Sequence, residues 1–141
     1  MTRYLDTSLL VAALTNEAET KRMQSWLAAQ KSGVLAVSEW VATEFSAALS
    51  VKLRTGQIEK THRSDALAMF AQLMAASFSL LPISAIEFRT AAHFADRSSS
   101  GLRAGDALHL AICANHGATI CTLDRRLSEA ATALGVKTLL L

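Results

Sequence analysis

Five short apolar runs, separated by longer helical patterns, constrain the fold of this chain more than any other feature. They are RYL (3–5), VLAV (34–37), SLLPI (79–83), ATICTL (118–123) and KTLLL (137–141). Successive positions in each run are apolar, which is typical of buried parallel strands that helices cover on both faces. Pro82 has no backbone N–H, so its strand is expected to end there or to lie near a sheet edge.

Helical patterns fill the intervals, and small polar residues or glycines mark several of their ends. They cover residues 8–14, 17–30, 38–54, 64–77, 84–97, 105–117 and 128–135. Ser38, Ser64 and Ser84 are candidate N-caps, and Gly117 is a candidate C-terminal stop. The alternation predicts an α/β fold, a three-layer α/β/α sandwich with a mostly parallel, roughly five-stranded sheet. No repeat or linker divides the chain, so one domain over residues 1–141 is expected.

Composition excludes several classes of protein. Apolar residues make up 51% of the chain and proline occurs once, which argues against disorder. No apolar run approaches the ~20 residues that a membrane span needs, so no membrane contact is predicted. Cys113 and Cys121 form neither a disulfide framework nor a zinc pattern, and two buried free thiols fit a cytoplasmic location. The net charge of +2 is too mild to indicate a nucleic-acid binder by itself.

Two aspartates directly follow predicted strands. Asp6 comes after the first strand, and Asp124 comes after the fourth. In α/β folds, sites form outside the carboxyl ends of the strands, so both side chains are expected at the same sheet edge. The alternative for either residue is an ordinary turn or helix-cap role.

Two further acids stand out by their surroundings. Glu44 falls on the apolar side of the 38–54 helix, opposite a polar stripe that begins at Glu39, and a buried carboxylate is costly unless it is paired or metal-bound. Asp106 stands where a Ser/Gly-rich loop (98–105) enters an apolar helix. Its alternative role is to complement the helix dipole, an effect of ~0.3–1 kcal/mol.

The other ionisable residues serve as a comparison. Asp96, beside Arg97, is a reserve candidate for the site. Solvated surface is expected for the remaining acids, Glu17, Glu19, Glu59, Asp65, Glu87 and Glu129. The histidines lack the spacing of a helical zinc pair and are expected on the surface or supporting the site rather than as ligands: His62, His93, His109 and His116. A donor set of carboxylates alone favours Mg²⁺ or Mn²⁺.

The strings LDTSLLVAAL, EWVATEFSAAL, GLRAGDALHLAIC and TICTLDRRL, in this order, resemble the PIN-domain ribonucleases, specifically toxins of the VapC type. The resemblance covers nearly the whole chain. The family's acidic quartet falls on Asp6, Glu44, Asp106 and Asp124. Its small hydroxyl positions match Ser8 and Thr122.

This resemblance implies a Mg²⁺- or Mn²⁺-dependent endoribonuclease that leaves 5′-phosphate and 3′-hydroxyl ends. Asp6, Asp106 and Asp124 would bind metal directly or through water, while Glu44 would orient or deprotonate the attacking water. Ser8 and Thr122 would hold these ligands or waters in place. The resemblance further implies a homodimer and a cognate VapB-type antitoxin that covers the acidic site.

Three arginines adjoin the acids, and each could contact the RNA backbone or simply pair with a nearby carboxylate: Arg103, Arg125 and Arg126. A signalling receiver domain is disfavoured because LDTS lacks paired acids after the first strand. An aspartyl phosphatase is disfavoured because Ser8 stands where a second aspartate is needed. The alternative left open is a catalytically silent PIN-like module that binds RNA or protein.

Overall fold

One parallel sheet organises the part of the chain that the computed structural model describes, residues 1–99 and 101–141. Its five strands are β1 (Arg3–Leu5), β2 (Leu35–Val37), β3 (Ser79–Leu80), β4 (Thr119–Thr122) and β5 (Thr138–Leu140). They lie in the order β3-β2-β1-β4-β5, all parallel. Ser100, in the predicted Ser/Gly-rich loop, lies outside the described residues.

The seven helices within the described residues are α1 (Thr7–Leu14), α2 (Thr20–Ala28), α3 (Glu39–Arg54), α4 (Lys60–Ala76), α5 (Ala85–Arg97), α6 (Ala104–His116) and α7 (Arg125–Ala133). Neighbouring side chains of the central strands are buried, as Tyr4 and Leu5 are on β1. Because consecutive strand residues point to opposite faces, helices must cover both sides of the sheet. The predicted α/β sandwich with a five-stranded parallel sheet is therefore confirmed.

The two edge strands differ from the prediction that all five runs are buried. β3 has only two residues, both exposed, and β5 is half-buried along its length. Each has a neighbour on one side only, so less of its surface is covered. The expectation for Pro82 is confirmed, since β3 ends at Leu80 and lies at an edge.

Three predicted helix starts are wrong. α2 begins at Thr20 rather than at residue 17, since the backbone N–H of Glu17 donates to the Thr20 hydroxyl in a turn before the helix. α4 begins at Lys60, one turn before Ser64, because nothing between Gln57 and Ser64 stops the helix from extending towards its N-terminus. α7 begins at Arg125 with Asp124 as its N-cap, and the buried Ser128 instead shares a 2.9 Å hydrogen bond with Thr138 on β5.

Ser84 and Ser38 occupy the predicted N-cap positions but use their hydroxyls differently. Ser84 caps α5 reciprocally with Glu87, whose carboxylate accepts from both the backbone and the hydroxyl of Ser84. These bonds outweigh a burial effect and lower the pKa of Glu87. Glu87 is buried, so the prediction that it lies on the solvated surface is wrong. The hydroxyl of Ser38 makes no cap and turns towards Tyr4 instead.

The direction in which successive strands are added to the sheet reverses between β1 and β4, and the candidate site lies at this point. The chain runs outward from β1 to β2 and β3, then returns to pair β4 with β1 and β5 with β4. Such a switch point opens a crevice at the carboxyl ends of the strands. Asp6 directly follows β1, and its backbone N–H donates to the carbonyl of Cys121 on β4 at 3.0 Å. No helix within the described residues is long and apolar enough to cross a membrane.

Candidate active site

Asp6 directly follows β1 at this switch point, and its carboxylate is held by two hydroxyl groups. The residue is only 5% exposed. The hydroxyls of Ser8 and Thr122 both donate to Oδ2, at 2.7 and 2.8 Å. Thr122 also accepts a hydrogen bond from the backbone N–H of Asp124 at 2.9 Å. Its hydroxyl therefore links the end of β4 to Asp6 at the end of β1. The two hydroxyl residues singled out in the sequence therefore converge on one oxygen of Asp6, leaving Oδ1 for another partner.

Glu44 projects from α3 towards Asp6, and its Oε1 accepts two hydrogen bonds. The hydroxyl of Thr7 donates to Oε1 at 2.7 Å, and Nε2 of His109 contacts the same oxygen. Burial is the strongest single influence on the pKa of Glu44 and raises it. The hydrogen bond and charge of His109, with the bond from Thr7, outweigh burial and lower the pKa below its usual value. Glu44 is consequently ionised at neutral pH.

His109 is the functional residue whose contacts the sequence patterns did not reveal. It is fully buried on α6, with Nε2 on Glu44 and 3.8 Å from Oδ1 of Asp6. Its Nδ1 lies 2.8 Å from the hydroxyl of Tyr4, which lies 2.7 Å from the hydroxyl of Ser38. Two spacings could have indicated this: Tyr4 precedes Asp6 by two positions on a strand, and His109 follows Asp106 by three on a helix.

Asp106 lies in the first turn of α6, half-buried and surrounded by like charges. Burial is the largest effect on its pKa and raises it. The charge of Asp6 raises it further, and Asp124 and Glu44 add smaller increases that the nearby His109 only partly offsets. The electrostatic coupling shows that the four acids, distant in sequence, share one neighbourhood.

Asp124 serves as the N-cap of α7, the alternative considered for it from sequence. Its Oδ1 accepts from the backbone N–H groups of Arg126 and Leu127 at 2.9 and 3.3 Å. Both bonds end on Oδ1, so Oδ2 is not used by the cap. The residue is exposed and faces the same cleft as Asp106.

This cleft has a volume of about 410 Å³ and lies between the start of α6 and α7. Arg103 and Arg126 line it together with Asp106 and Asp124. Arg125 points elsewhere and lines a separate surface depression beside β5. Two of the three arginines singled out from sequence thus stand beside the acids, and the third does not.

Gly105 allows α3 and α6 to approach closely at the site. A side-chain carbon at this position would lie 3.0 Å from Oε2 of Glu44 and 3.2 Å from the indole ring of Trp40. Any larger residue would therefore push Glu44 or Trp40 aside. The glycine costs helix propensity, and the close packing against Glu44 explains its presence.

The side chains fit a divalent cation, although their grouping differs from the sequence-based set. Ligand atoms of Asp6, Glu44 and His109 lie within 4.8 Å of one another. The predicted ligands Asp106 and Asp124 stand farther out, in the adjoining cleft. Mutual repulsion, evident in the raised pKa of Asp106, is what a bound cation would relieve.

Asp96, the reserve candidate, is exposed on α5 and is absent from this group of ligand atoms within the described residues. A larger cavity of about 630 Å³ also lies away from the acids, between α1, α2 and α4, with a mostly apolar lining. Cys113 and Cys121 are both buried free thiols, as expected, and burial raises the pKa of Cys121 to about 11.

The sequence matches the family model of the PIN domain over residues 3–133. Sequence comparison with curated proteins finds no significant match. Among solved structures, the fold is similar to that of VapC20 of Mycobacterium tuberculosis, described as a toxin that cleaves the sarcin-ricin loop. The two are 17% identical, with a TM-score of 0.74 and coverage of 96% of each chain.

Two solved complexes contain chains of similar fold. One is VapBC2 of Rickettsia felis bound to a promoter DNA fragment, with 16% identity, a TM-score of 0.71, and coverage of 100% of this chain and 99% of that one. The other is FitAcB of Neisseria gonorrhoeae, with 16% identity, a TM-score of 0.68, and coverage of 97% and 96%. At these identities the likeness concerns the fold.

Proposed function

The chain belongs to the PIN-domain family, and from this premise we propose that it is a Mg²⁺- or Mn²⁺-dependent endoribonuclease that acts as the toxin of a toxin–antitoxin pair. In this proposal residues 1–141 form a single PIN domain that acts in the cytoplasm. The reaction is hydrolysis of an RNA phosphodiester, which leaves a 5′-phosphate and a 3′-hydroxyl.

The observation that carries the proposal is the convergence of four carboxylates at the switch point of the sheet. Asp6, Glu44, Asp106 and Asp124 come from four separate segments, and burial together with the charges of the other three acids raises the pKa of Asp106. A protein gains no stability from such repulsion. Clustered carboxylates beside a cleft with two arginines are instead well suited to bind a cation and a phosphate.

Asp6, Asp106 and Asp124 are the proposed cation ligands. Each has a carboxylate oxygen without a hydrogen bond among the described residues: Oδ1 of Asp6, which lies 3.8 Å from Nε2 of His109, Oδ2 of Asp124 and the carboxylate of Asp106 in the cleft. A divalent cation held there supplies two effects, a lower pKa for a coordinated water and compensation of negative charge on the phosphate.

The other residues orient the reacting groups. Glu44 accepts a hydrogen bond from the attacking water through Oε2, since Oε1 is occupied by Thr7 and His109. Ser8 and Thr122 fix the Asp6 carboxylate. Arg103 and Arg126 hold RNA phosphates from the wall of the cleft. Arg125 is outside the proposed interface because it lines a different depression.

A VapB-type antitoxin and a second copy of the chain are the proposed protein partners. Support comes from the similar folds of the VapBC2 and FitAcB structures and of VapC20, which is described as a toxin. The corresponding prediction is that expression of the chain alone arrests growth and that expression with the neighbouring open reading frame restores it. Mass measurement of the purified chain is expected to give a homodimer.

The enzymatic proposal is tested by incubating total RNA with the purified protein in Mg²⁺ or Mn²⁺, in EDTA, and with the Asp6→Asn variant. We expect cleavage only for the native protein with a cation. Retention of RNA by the native protein without any cleavage, in every cation tested, would instead indicate a silent RNA-binding module.

A further inference from the structure

A chain of buried polar groups runs from Ser38 through Tyr4 and His109 to Glu44. Tyr4, Ser38 and His109 are completely buried, and consecutive members are within hydrogen-bond distance. The network joins β1, the start of α3 and α6, the three elements that converge behind the acids. Buried polar groups cost stability unless every one is satisfied, and apolar residues could fill this space without that requirement. A network of this kind in the core needs a reason beyond packing.

The orientation of His109 follows from the chemistry of its partners. Oε1 of Glu44 already accepts a hydrogen bond from the hydroxyl of Thr7, and a carboxylate oxygen only accepts. The hydrogen in the contact must therefore be on Nε2. Nδ1 lies 2.8 Å from the hydroxyl of Tyr4, which lies 2.7 Å from the hydroxyl of Ser38. A hydroxyl can donate or accept, so this end of the network can pair with Nδ1 whether or not that nitrogen carries a hydrogen.

Glu44 is held from the other side as well. Thr7 donates to the same Oε1, and Oε2 lies against Gly105, where a side-chain carbon would be only 3.0 Å away. The carboxylate is thereby confined in one rotamer while Oε2 remains directed towards the start of α6. Removal of the His109 bond would leave Thr7 as the only donor to Oε1 among the described residues.

We propose that His109 is the positioning residue of the site: backed by Tyr4 and Ser38, it fixes the Glu44 carboxylate in the orientation that holds the attacking water. The inference rests on the proposed nuclease function and assigns His109 a supporting role in it. His109 itself touches neither RNA nor cation. It is buried and both of its ring nitrogens contact protein groups, so we assign it to positioning although Nε2 lies near the carboxylates.

The first test compares His109→Leu with His109→Gln, because glutamine can keep a donor near the position of Nε2. We expect kcat for RNA cleavage to fall roughly 10–100-fold in the leucine variant, the range typical of supporting hydrogen bonds around a site. KM should stay unchanged, and glutamine should restore most of kcat. Tyr4→Phe should lower kcat only a few-fold. His93→Leu, at an exposed histidine on α5, is the matched control.

The assignment would be overturned if His109→Leu cleaved RNA with the kcat of the native protein. It would also be overturned if the leucine and glutamine variants lost kcat equally. If the native protein and Asp124→Asn prove equally inactive on RNA, the nuclease proposal fails instead.

The second test does not depend on activity. Long-range ¹H–¹⁵N correlation spectra of the histidine rings, with His109→Gln used for assignment, should show a hydrogen on Nε2 that persists when Mg²⁺ is saturating. A ring without that hydrogen, or its loss on adding Mg²⁺, would make His109 a ligand and refute the positioning role.

Discussion

The two halves of the acidic site are built in opposite ways. Asp6 and Glu44, here called the bonded half, accept hydrogen bonds from four side chains: Ser8, Thr122, Thr7 and His109. Asp106 and Asp124, the open half, face a cleft and accept no side-chain hydrogen bond among the described residues, although Oδ1 of Asp124 caps α7. Side chains of the protein hold the first pair, whereas the carboxylate of Asp106 and Oδ2 of Asp124 face the cleft.

The difference separates a carboxylate whose charge the fold stabilises from one whose charge the fold destabilises. The surroundings of Glu44 lower its pKa, so the fold favours that charge, whereas the surroundings of Asp106 raise its pKa, so the fold opposes it. Carboxylates whose contacts the protein itself supplies are expected to resemble Glu44, whatever further role they have. A carboxylate kept in an unfavourable place is a mark of function. Each prediction below tests the contrast between the halves.

The largest effect is expected in the open half, for Asp124→Asn. Asparagine caps a helix about as well as aspartate, so the free energy of unfolding should hardly change. RNA cleavage should fall by roughly 100-fold or more, since even supporting groups around a metal contribute 10–100-fold. The measurements are kcat on RNA and thermal unfolding of the same preparation. Glu129→Gln removes an exposed charge from the same cleft and should leave kcat unchanged. Native cleavage by Asp124→Asn would remove this residue from the mechanism.

Cation binding should stabilise the native protein through the open half. A ligand at one hundred times its Kd stabilises the folded state by about 2.7 kcal/mol. For a domain of this size that is a rise in Tm of roughly 8 °C, at ~3 °C per kcal/mol. Differential scanning fluorimetry with MnCl₂ or MgCl₂, reversed by EDTA, measures the shift. The shift should largely disappear in Asp124→Asn, and an equal shift in both proteins would place the cation elsewhere.

The bonded half should respond to charge removal by losing stability. Glu44→Gln replaces an acceptor of the His109 hydrogen with an amide and should cost roughly 1–2 kcal/mol at neutral pH. Because the folded-state pKa of Glu44 lies below the unfolded value of 4.5, its contribution is complete above that pH and declines as the pH falls through the folded-state pKa. Urea unfolding at pH 7 and pH 4 should show the difference shrinking. Glu129→Gln, at an exposed acid beyond the first turn of its helix, should be neutral at both values.

Sequence patterns sufficed for the sheet, for most helices and for the position of the acids, because both strand burial and the carboxyl-end rule depend on short-range periodicity. They left open whether Asp124 is a helix cap or a ligand, since the two look alike in sequence, and the structure shows that it caps α7. They also missed the bond between His109 and Glu44, which lie 65 positions apart. The start of α4 at Lys60 was missed for a local reason, as no strong cap precedes Ser64. Tertiary contacts decide such details, and the periodicity of apolar residues in the sequence does not encode them.

The smallest effect is also the one of opposite sign. Asp106→Asn removes a charge that burial and the carboxylates of Asp6, Asp124 and Glu44 disfavour, so it should stabilise the cation-free protein at neutral pH. The gain should stay below about 1 kcal/mol, because an acid in the first turn of α6 also complements the helix dipole.

The pH dependence of this gain follows from the raised pKa of Asp106. The charge is unfavourable to folding above the folded-state pKa, and the penalty vanishes as the pH falls below the unfolded value of 3.8. Native protein and Asp106→Asn should therefore differ in urea unfolding at pH 7 in EDTA and converge in acid. Asp96→Asn, at an exposed acid on α5, should change neither stability nor cleavage. If Asp106→Asn is less stable than the native protein in EDTA, the open half is held by contacts of its own, and the contrast between the two halves is wrong.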